Sequence, residues 1–271
     1  MPELPEVEIT RRGLAPVLAE RTITSVVVRH PRLRWPIPRN LGAILKGAQI
    51  RSIRRRAKYL LLDCGRGTLI LHLGMSGSLR MVPAGQPAGP YDHFDLTIGS
   101  LTMRLRDPRR FGAVLWHAGD PAKHPLLAGL GVEPLSDAFT GQTLHRATRG
   151  RRAAIKHVLM DARRVAGVGN IYASESLFRA RIHPSTPAQR LSLARCERLA
   201  AALRATLEDA LAAGGSTLRD FVQSDGSPGY FQNQYFVYDR VGEPCLVCGK
   251  PIRRLVQGQR STFYCPGCQR H

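Results

Sequence analysis

The sequence lacks the segments that would direct a protein into or across a membrane. In its 271 residues no apolar run approaches the roughly 18 residues that a helix needs to span a bilayer. The N-terminus does not have the basic-then-apolar order of a signal peptide, and the chain contains no internal repeat or long low-complexity tract. We therefore expect a soluble, cytoplasmic protein, and its length predicts two domains with separate cores.

Acidic residues and lysines are both scarce. Twenty aspartates and glutamates stand against 40 basic residues, which leaves a net charge of +20. Such an imbalance predicts a polyanionic partner; nucleic acid is favoured, and a membrane surface is the alternative. Nearly all of the positive charge is arginine, so each lysine is a candidate for a specific role. The five lysines are Lys46, Lys58, Lys123, Lys156 and Lys250.

Six cysteines occur, and four of them follow a C-x2-C-x16-C-x2-C pattern. A disulfide framework would be unexpected in the cytoplasm. Zinc explains the spacing better, because one closely spaced pair of thiolates binds one side of a tetrahedral ion and a hairpin supplies the other pair. Four thiolates leave no open coordination position, so the pattern predicts one structural zinc ion. The predicted ligands are Cys245, Cys248, Cys265 and Cys268, and Cys64 and Cys196 are expected in the core.

The first eight residues contain two prolines and three glutamates and support two interpretations. In one, they start a helix: Pro5 suits the first helical turn, and Glu6 and Glu8 favour the positive end of the helix dipole. In the other, removal of Met1 exposes the secondary amine of Pro2. Both interpretations can hold, since a helix that begins at Pro5 would keep that amine in place.

A free Pro2 amine has chemistry that an internal residue cannot offer. Terminal amines have a pKa of about 8, so a sizeable neutral fraction exists at physiological pH and can attack a sugar aldehyde carbon. The product is a permanently cationic iminium ion, which withdraws electrons strongly enough to drive elimination at neighbouring carbons. In this hypothesis Glu3 and Glu6 transfer protons.

Short segments with the two-residue period of strands follow the first helix, which we expect to end near residue 19. They lie between residues 22 and 117, among them the alternating segment 49–64, and no helical pattern separates them. Repeated strands of this kind predict an antiparallel sandwich or barrel. Helical periodicity then covers residues 143–164, 170–180 and 192–213. The predicted domains are residues 1–130, a linker at 131–136, a helical domain at 137–240 and the zinc finger at 241–271.

Two loops are candidates for nucleic-acid binding, with ordinary turns as the alternative. Asn170 follows a glycine-rich run at the start of a helix, where backbone N–H groups can seat a phosphate; the alternative is a simple helix cap. The segment 107–112 is a turn whose Arg109 and Phe111 can enter a base stack and fill the space of an extruded nucleotide, with Met75 as a second wedge. The alternative for Phe111 and Met75 is a place in the core.

The motifs of the chain occur in a fixed order: PELPEVE, RRAKYLL, HLGMSG, DHFD, DPRRFG, AAIKHVLMD, GVGNIYASESLF, GGSTLRDF, QSDGSPGYFQ and the four-cysteine end. In this combination, which spans the whole chain, the sequence resembles the formamidopyrimidine-DNA glycosylases, bacterial base-excision enzymes that act on 8-oxoguanine. The resemblance implies an α+β fold: an N-terminal antiparallel β-sandwich with an N-terminal helix, a helical domain with a helix-two-turn-helix, and a β-hairpin zinc finger. It also implies that the polar, glycine-rich residues 214–230 form a loop that closes over a flipped base.

The resemblance assigns roles by position. It makes Pro2 the nucleophile and Glu3 the general acid and base, with Glu6 in the same catalytic site. Lys58 matches a lysine that contacts DNA and assists catalysis, and Arg260 matches an arginine of the zinc finger hairpin that grips a phosphate beside the lesion. The other DNA contacts that it implies are Met75, Arg109 and Phe111 in the vacated helix, Arg110, His93, Asn170 on a flanking phosphate, and Lys156 near the damaged base.

The implied activity is that of a bifunctional DNA glycosylase and AP lyase. Such an enzyme removes oxidised purines through a proline Schiff base and cuts the strand by successive β and δ eliminations. The implied partner is double-stranded DNA that contains oxidised purines or abasic sites, bound by a monomer that associates with the nucleoid through its DNA.

Two alternatives to this function stay open. The endonuclease VIII enzymes share the terminal proline and the zinc but favour oxidised pyrimidines; Leu4 and the intact DPRRFG loop favour the purine enzymes. The non-enzyme alternative is a zinc-finger DNA-binding or architectural protein in which the proline is incidental. One local departure from the resemblance is Tyr91, where many relatives carry a histidine.

Overall fold

The structure is a computed structural model that describes residues 2–217 and 223–271; Met1 and residues 218–222 lie outside the described residues. The chain divides into two compact units. The first unit comprises Met1–Ala128 and Ala213–Gln232, and the second comprises Gly129–Ala212 and Asn233–His271. Residues 213–232, which the predicted 137–240 domain includes, are thus part of the first unit. The predicted domain boundaries themselves stay predictions.

The described part of the first unit contains three α-helices and ten strands. The helices are α1 (Leu4–Leu18), α2 (Leu41–Leu45) and α3 (Pro125–Ala128). The strands are β1 (Arg21–Thr22), β2 (Ser25–Val28), β3 (Gln49–Ile50), β4 (Ser52–Arg56), β5 (Tyr59–Asp63), β6 (Thr68–His72), β7 (Ser78–Pro83), β8 (Asp92–Ile98), β9 (Leu101–Arg106) and β10 (Ala113–His117).

Two four-stranded antiparallel sheets form a sandwich in this unit. One sheet has the strand order β10-β6-β5-β4 and the other has the order β2-β8-β9-β7. Leu60 and Leu62 of β5 and Phe94 and Leu96 of β8 belong to one buried cluster. Alternate residues of both sheets therefore point into a common core, which confirms the predicted antiparallel β-sandwich.

Helix α1 follows the sequence prediction closely. Pro5 lies in its first turn, and the Glu6 carboxylate accepts a hydrogen bond of 2.8 Å from the Glu3 backbone N–H. Such a bond satisfies a backbone donor at the start of a helix, where no carbonyl of the helix itself is in reach. Val7 and Leu14 are buried in the core of the sandwich, so one face of the helix packs on the sheets.

The alternating segment 49–64 is not continuous strand. It folds as β3, β4 and β5, and the chain reverses at Ala57 and Lys58. Ala57 has a φ of +52°, a left-handed conformation that side-chain periodicity does not reveal. Lys58 therefore lies in a hairpin turn and not on the face of a sheet.

Four α-helices and a two-stranded hairpin form the described part of the second unit. The predicted helix over 143–164 is divided, because Gly150 adopts a φ of +69° and ends the first of the two pieces. Two successive turns between residues 161 and 169 join the second piece to the next helix, which confirms the helix-two-turn-helix. The elements are α4 (Gly141–Thr148), α5 (Ile155–Met160), α6 (Asn170–Arg179), α7 (Leu193–Ala212), β11 (Arg253–Gln257) and β12 (Arg260–Tyr264).

The helices of both units differ from membrane-spanning helices. Within residues 2–217 and 223–271, none has the length and the apolarity that a bilayer span requires. The longest, α7, has 20 residues, but charged side chains such as Arg195, Glu197 and Asp209 are spread along it.

Gly74 is a position where the fold requires glycine. Its φ is +64°, and an added Cβ would lie 2.3 Å from the Phe111 carbonyl carbon and 2.5 Å from the Gly112 nitrogen. We predict that Gly74→Ala lowers the free energy of unfolding by more than about 2 kcal/mol, because backbone atoms cannot move aside as a flexible side chain can.

The control is Gly99→Ala, at a position with a φ of +52° and no atom within 4 Å of the added Cβ. It isolates the cost of the left-handed backbone, about 1 kcal/mol. Denaturant unfolding of both variants measures the difference, and equal losses would contradict the close approach at Gly74.

Candidate functional site

The N-terminus of α1 is fixed by a capping box in which the buried Glu3 and Glu6 side chains each accept a backbone N–H bond. Glu6 is 1 % exposed; its Oε2 accepts from the Glu3 N–H at 2.8 Å, and its Oε1 accepts from the Ser216 N–H at 2.9 Å. A carboxylate that accepts two backbone bonds is stabilised in its charged form and in one orientation. Glu6 thus joins the start of the helix to the beginning of the 214–230 segment.

Pro2 and Glu3, the predicted nucleophile and general acid/base, lie directly before this helix. Both residues are buried. Because the helix start is capped, the backbone of Glu3 is held, and with it the position of the preceding Pro2. Both interpretations of the first eight residues require a helix start that holds Pro2 in place, and α1 provides one. Met1, on whose removal the free amine depends, lies outside the described residues.

The hairpin turn that carries Lys58 is anchored on the same helix. Arg55 of β4 pairs with Glu8 of α1 at 3.2 Å, and its Nη1 donates to the Ala57 carbonyl at 3.0 Å. One guanidinium group therefore contacts both the helix and the turn. Lys58 is placed relative to α1 by this contact and not by the sheet alone.

His72 belongs to the same region, although sequence reasoning did not select it. It is the direct β-sheet partner of Tyr59, and the two rings are 4.8 Å apart. Burial, and then the charges of Lys58 and Arg34, lower the pKa of His72 to about 4. Its Nδ1 accepts from the Gly74 N–H at 2.9 Å. The only available signal was its place in the HLGMSG motif beside Met75.

The two candidate wedge loops present large side chains to solvent. Met75 is 40 % exposed and Phe111 is 43 % exposed, so neither is a core residue. The guanidinium of Arg109 lies 5.2 Å from the centre of the Phe111 ring, within the range of a cation–π contact. Arg110 has a φ of +56° and its Nη1 is 2.8 Å from the Nε2 of His30.

His93 is not at this surface. It is buried, and its Nε2 lies 2.9 Å from the backbone oxygen of Asp107. The structure therefore places His93 underneath the 107–112 loop, where it contacts the protein backbone. The contact between His93 and DNA stays a prediction, and the burial of the ring argues against it.

In the second unit, Lys156, Asn170 and the zinc finger hairpin meet in one buried network. The Lys156 Nζ donates to Asn170 Oδ1 and to Thr262 Oγ1, both at 2.6 Å. The Asn170 Nδ2 donates to the Ser261 carbonyl at 2.9 Å. Lys156 is 1 % exposed, so its ammonium group links helices α5 and α6 to β12 within the protein.

The buried Glu175 carboxylate holds Tyr238 beside the same network. The Glu175 carboxylate accepts three backbone N–H bonds of 2.8 to 3.0 Å, from Phe236, Val237 and Tyr238. Burial raises the pKa of Glu175, and these three bonds oppose that shift. The Tyr238 hydroxyl lies 3.5 Å from Asn170 Nδ2. Arg260, the predicted phosphate contact, begins the adjacent β12 and is exposed.

The four predicted zinc ligands meet at one end of the second unit. Their Sγ atoms all lie within 4.8 Å of one another, with 3.8 Å between Cys245 and Cys268 and 3.4 Å between Cys248 and Cys265. Sulfur atoms that bind zinc at about 2.3 Å in a tetrahedron are about 3.8 Å apart. The thiols therefore fit a single zinc ion without a large rearrangement.

Comparison with known proteins identifies the family. Three sequence-family models match: the formamidopyrimidine-DNA glycosylase N-terminal domain over residues 1–114, the formamidopyrimidine-DNA glycosylase H2TH domain over residues 130–222, and the zinc finger found in FPG and IleRS over residues 242–270. The chain belongs to the formamidopyrimidine-DNA glycosylase family. The family resemblance that the motifs implied is thereby confirmed.

Individual relatives match over their full length. The chain is 63 % identical over 270 residues to the formamidopyrimidine-DNA glycosylase of Aromatoleum aromaticum, and all of both chains is covered. It is 59 % identical to that of Herminiimonas arsenicoxydans, again with full coverage. These values exclude a match restricted to a shared zinc finger.

Solved structures agree with this fold. The crystal structure of the MutM (FPG) protein of Thermus thermophilus has a TM-score of 0.89 at 42 % identity and covers 99 % of this chain and 98 % of that one. The complex of Lactococcus lactis Fpg with DNA that contains an abasic site has a TM-score of 0.92 at 32 % identity, with 99 % and 100 % covered.

The zinc finger of this glycosylase family member carries a structural zinc site, as the cysteine spacing predicted. We predict that Cys245→Ser loses the bound zinc, because three thiolates and an alcohol hold the ion far less tightly. The first unit should retain its cooperative unfolding, since its core is separate. Metal analysis and thermal unfolding measure both effects, with Cys64→Ala as a control that keeps the ion. Unchanged zinc stoichiometry in Cys245→Ser would contradict the assignment.

The lowered pKa of His72 predicts that the free energy of unfolding depends on pH. A pKa of about 4 in the folded protein lies below the ordinary 6.5, so the unfolded chain binds the proton more readily. The stability contributed by the neutral ring is present above pH 6.5 and is lost as the pH falls toward 4. His72→Gln cannot titrate, yet its side-chain oxygen can accept from the Gly74 N–H.

We expect the wild type to lose more stability between pH 6.5 and pH 4 than His72→Gln does. Denaturant unfolding across this range measures the difference, and His117→Gln is the control at a half-exposed histidine. Parallel curves for wild type and His72→Gln would show that His72 protonates equally in both states.

Proposed function

We propose that this chain is a bifunctional DNA glycosylase and AP lyase that removes oxidised purines from double-stranded DNA. The observation that carries the proposal is the arrangement at α1 in a member of this family. Pro2 and Glu3 stand directly before a helix whose start is held by the buried Glu6 carboxylate. A terminal nucleophile needs this support, because chain ends are otherwise poorly ordered.

The chemistry follows from the secondary amine. After removal of Met1, the neutral Pro2 nitrogen attacks C1′ of the damaged nucleotide, the new carbon–nitrogen bond forms, and the bond from C1′ to the base breaks. The departing base takes a proton, and Glu3 is the residue proposed to manage proton transfer at this step. The Pro2 nitrogen then loses its proton and the C1′–O4′ bond breaks, with O4′ taking a proton, which gives the cationic iminium. The iminium acidifies the C2′ protons, so that the 3′ and then the 5′ phosphate can be expelled. A one-nucleotide gap with phosphate ends results.

Lys58 is proposed as a DNA contact that assists these steps. Its turn is fixed to α1 through Arg55 and Glu8, so the backbone that carries Lys58 is held to the helix that follows Pro2 and Glu3. A cation placed in this way stabilises phosphate oxygens and the developing negative charge of the leaving groups.

Base extrusion is proposed to depend on the two exposed loops. A base that leaves the stack costs a few kcal/mol, which inserted side chains offset by restoring contacts. Met75, Phe111 and the adjacent Arg109 are suited to this role, because they are exposed at loop tips instead of buried. The proposed lid at 214–230 is described only in part, since residues 218–222 lie outside the described residues.

Phosphate binding is proposed for the second unit. Asn170 and Arg260 are the proposed contacts to the phosphates that flank the lesion, and the net charge of +20 supplies non-specific attraction to DNA. Lys156 is buried between Asn170 and Thr262. Its proposed role near the damaged base is therefore indirect: it holds these two residues in position. Tyr238 joins this set because its hydroxyl reaches Asn170.

The substrate class has support from the solved relatives. A mutant of Lactococcus lactis Fpg has been crystallised with DNA that contains Fapy-dG, and Lactococcus lactis Fpg forms a complex with DNA that contains an abasic site. These lesions support the proposed oxidised-purine and abasic-site substrates. The wild-type Lactococcus lactis protein has also been crystallised with DNA that contains an oxidised pyrimidine, which keeps pyrimidine lesions as a second candidate. Cleavage of 8-oxoguanine and thymine glycol duplexes side by side decides between them. We propose a monomeric, cytoplasmic enzyme that associates with the nucleoid through DNA.

The covalent intermediate provides the test of the mechanism. We predict that borohydride traps wild-type protein on 8-oxoguanine duplex DNA through Pro2, because reduction converts the iminium to a stable amine. Pro2→Gly and Glu3→Gln should each reduce base release by about 100-fold or more, while Pro121→Gly, a proline in a surface 3-10 helix, leaves it unchanged. Denaturing gels and single-turnover kinetics measure trapping and cleavage.

Intact mass of the same sample must show that Met1 is absent. A sample without Met1 that binds lesion DNA but neither traps nor cleaves would overturn the mechanism and favour the non-enzyme alternative, a zinc-dependent DNA-binding protein.

A further inference from the structure

Asp107 is a buried acid that the proposed chemistry does not use. It is 0 % exposed, and within the described residues no basic side chain forms an ion pair with it. A buried carboxylate without a cation is costly unless hydrogen bonds satisfy both of its oxygens. The partners of those oxygens therefore indicate what the residue is for.

Each oxygen of Asp107 binds a different loop. Oδ1 accepts from the Ser76 hydroxyl at 2.7 Å, in the loop that carries Met75. Oδ2 accepts from the Gly112 N–H at 2.7 Å, directly after Phe111. The Ser76 hydroxyl in turn accepts from the Arg109 N–H at 3.2 Å. The Asp107 carboxylate thus bonds the Met75 loop through Ser76 and bonds Gly112 just after the Arg109–Phe111 tip. Ser76 adds a bond to the backbone of Arg109, at the start of that tip.

Backbone packing completes the connection. Gly74 approaches Phe111 and Gly112 so closely that an added Cβ would lie 2.3 to 2.5 Å from their backbone atoms. His93 supports the loop from below through the Asp107 carbonyl at 2.9 Å, and the Arg110 N–H closes the turn onto the same carbonyl at 3.1 Å. Neither loop can move without breaking bonds to the other.

We propose that Asp107 is a positioning residue that locks the Met75 loop and the Arg109–Phe111 loop into a single preformed wedge. The inference rests on the proposed function, because it concerns the insertion of these side chains into DNA. A preformed wedge reduces the ordering entropy of three side chains and two loops at the moment when the base leaves the stack. Asp107 does not touch the substrate; it acts through Ser76 and Gly112.

The hydrogen-bond chemistry predicts a graded series of variants. Asp107→Ala leaves the Gly112 N–H and the Ser76 hydroxyl without their acceptor. Asp107→Asn can retain both contacts, since its amide oxygen accepts from Gly112 while its NH₂ group donates to the Ser76 oxygen. Ser76→Ala removes only the link to the Met75 loop and to the Arg109 N–H. The expected order of wedge function is wild type, then Asn, then the two alanine variants.

The substrates separate wedge function from general stability. The first is a fully paired duplex with one 8-oxoguanine. The second has the same lesion in a short bubble, in which mismatches opposite the lesion and its neighbours have already unstacked the base. A wedge assists only when a paired helix must be opened and refilled, so its loss affects the first substrate and not the second.

We expect Asp107→Ala and Ser76→Ala to lower the single-turnover rate on the paired duplex by about tenfold relative to the bubble. Asp107→Asn should recover most of this ratio. A 2-aminopurine placed opposite the lesion should show a smaller fluorescence change with the alanine variants, since its stacking reports filling of the vacated space. The matched control is Asp95→Ala, which removes another buried carboxylate of the sandwich, one that pairs with Arg29 and Arg104.

The outcomes distinguish the inference from the function on which it rests. A wild type that cleaves neither substrate overturns the proposed function. A wild type that cleaves both, with alanine variants that lose equally on duplex and bubble or lose nothing, overturns the positioning role of Asp107. Should Asp107→Ala fail to fold in thermal unfolding, Ser76→Ala still decides the question, because it removes the two hydrogen bonds of the Ser76 hydroxyl and leaves the bond from the Gly112 N–H to Asp107 in place.

Discussion

The interaction on which the start of α1 depends is the pair of bonds made by the Glu6 carboxylate. One oxygen holds the Glu3 N–H at the start of α1 and the other holds the Ser216 N–H, 210 residues further along the chain. The bonds join two segments that would otherwise be a free chain end and a glycine-rich connection. The proposed chemistry of Pro2 requires an amine of constant direction, and a buried acceptor at the helix start would supply that constraint.

Other buried polar groups act in a similar way. Asp107 holds two loops, Glu175 holds three consecutive N–H groups, and the Lys156 ammonium holds the zinc finger strand to Asn170. Each requires the burial of a charge, which hydrophobic residues of equal size would avoid. Asp107 and Glu175 hold irregular segments, whose own backbone bonds cannot determine their position, and Lys156 joins two helices to a strand.

The expectations from sequence succeeded where a local pattern reports a local structure. The α1 start, the alternating strands and the cysteine spacing each specify their element within a few residues, because turn chemistry, side-chain period and metal geometry act over short distances. They were incomplete where a single backbone angle intervenes. Ala57 turned an apparent strand into a hairpin and placed Lys58 in its turn, and Gly150 divided an apparent helix.

The sequence alone determined the fold class, the zinc site and the family, since these depend on periodicity, spacing and the order of motifs. Only the tertiary structure decided the environment of the polar residues. It showed Phe111 and Met75 exposed, His93 and Lys156 buried, and His72 between Lys58 and the Met75 loop. The physical reason is that burial and hydrogen-bond partners come from residues far apart in the chain, as the separation of Glu6 from Ser216 illustrates. A helix-start motif could thus be predicted at once, but the partner that gives its carboxylate a second bond became visible only in the folded chain.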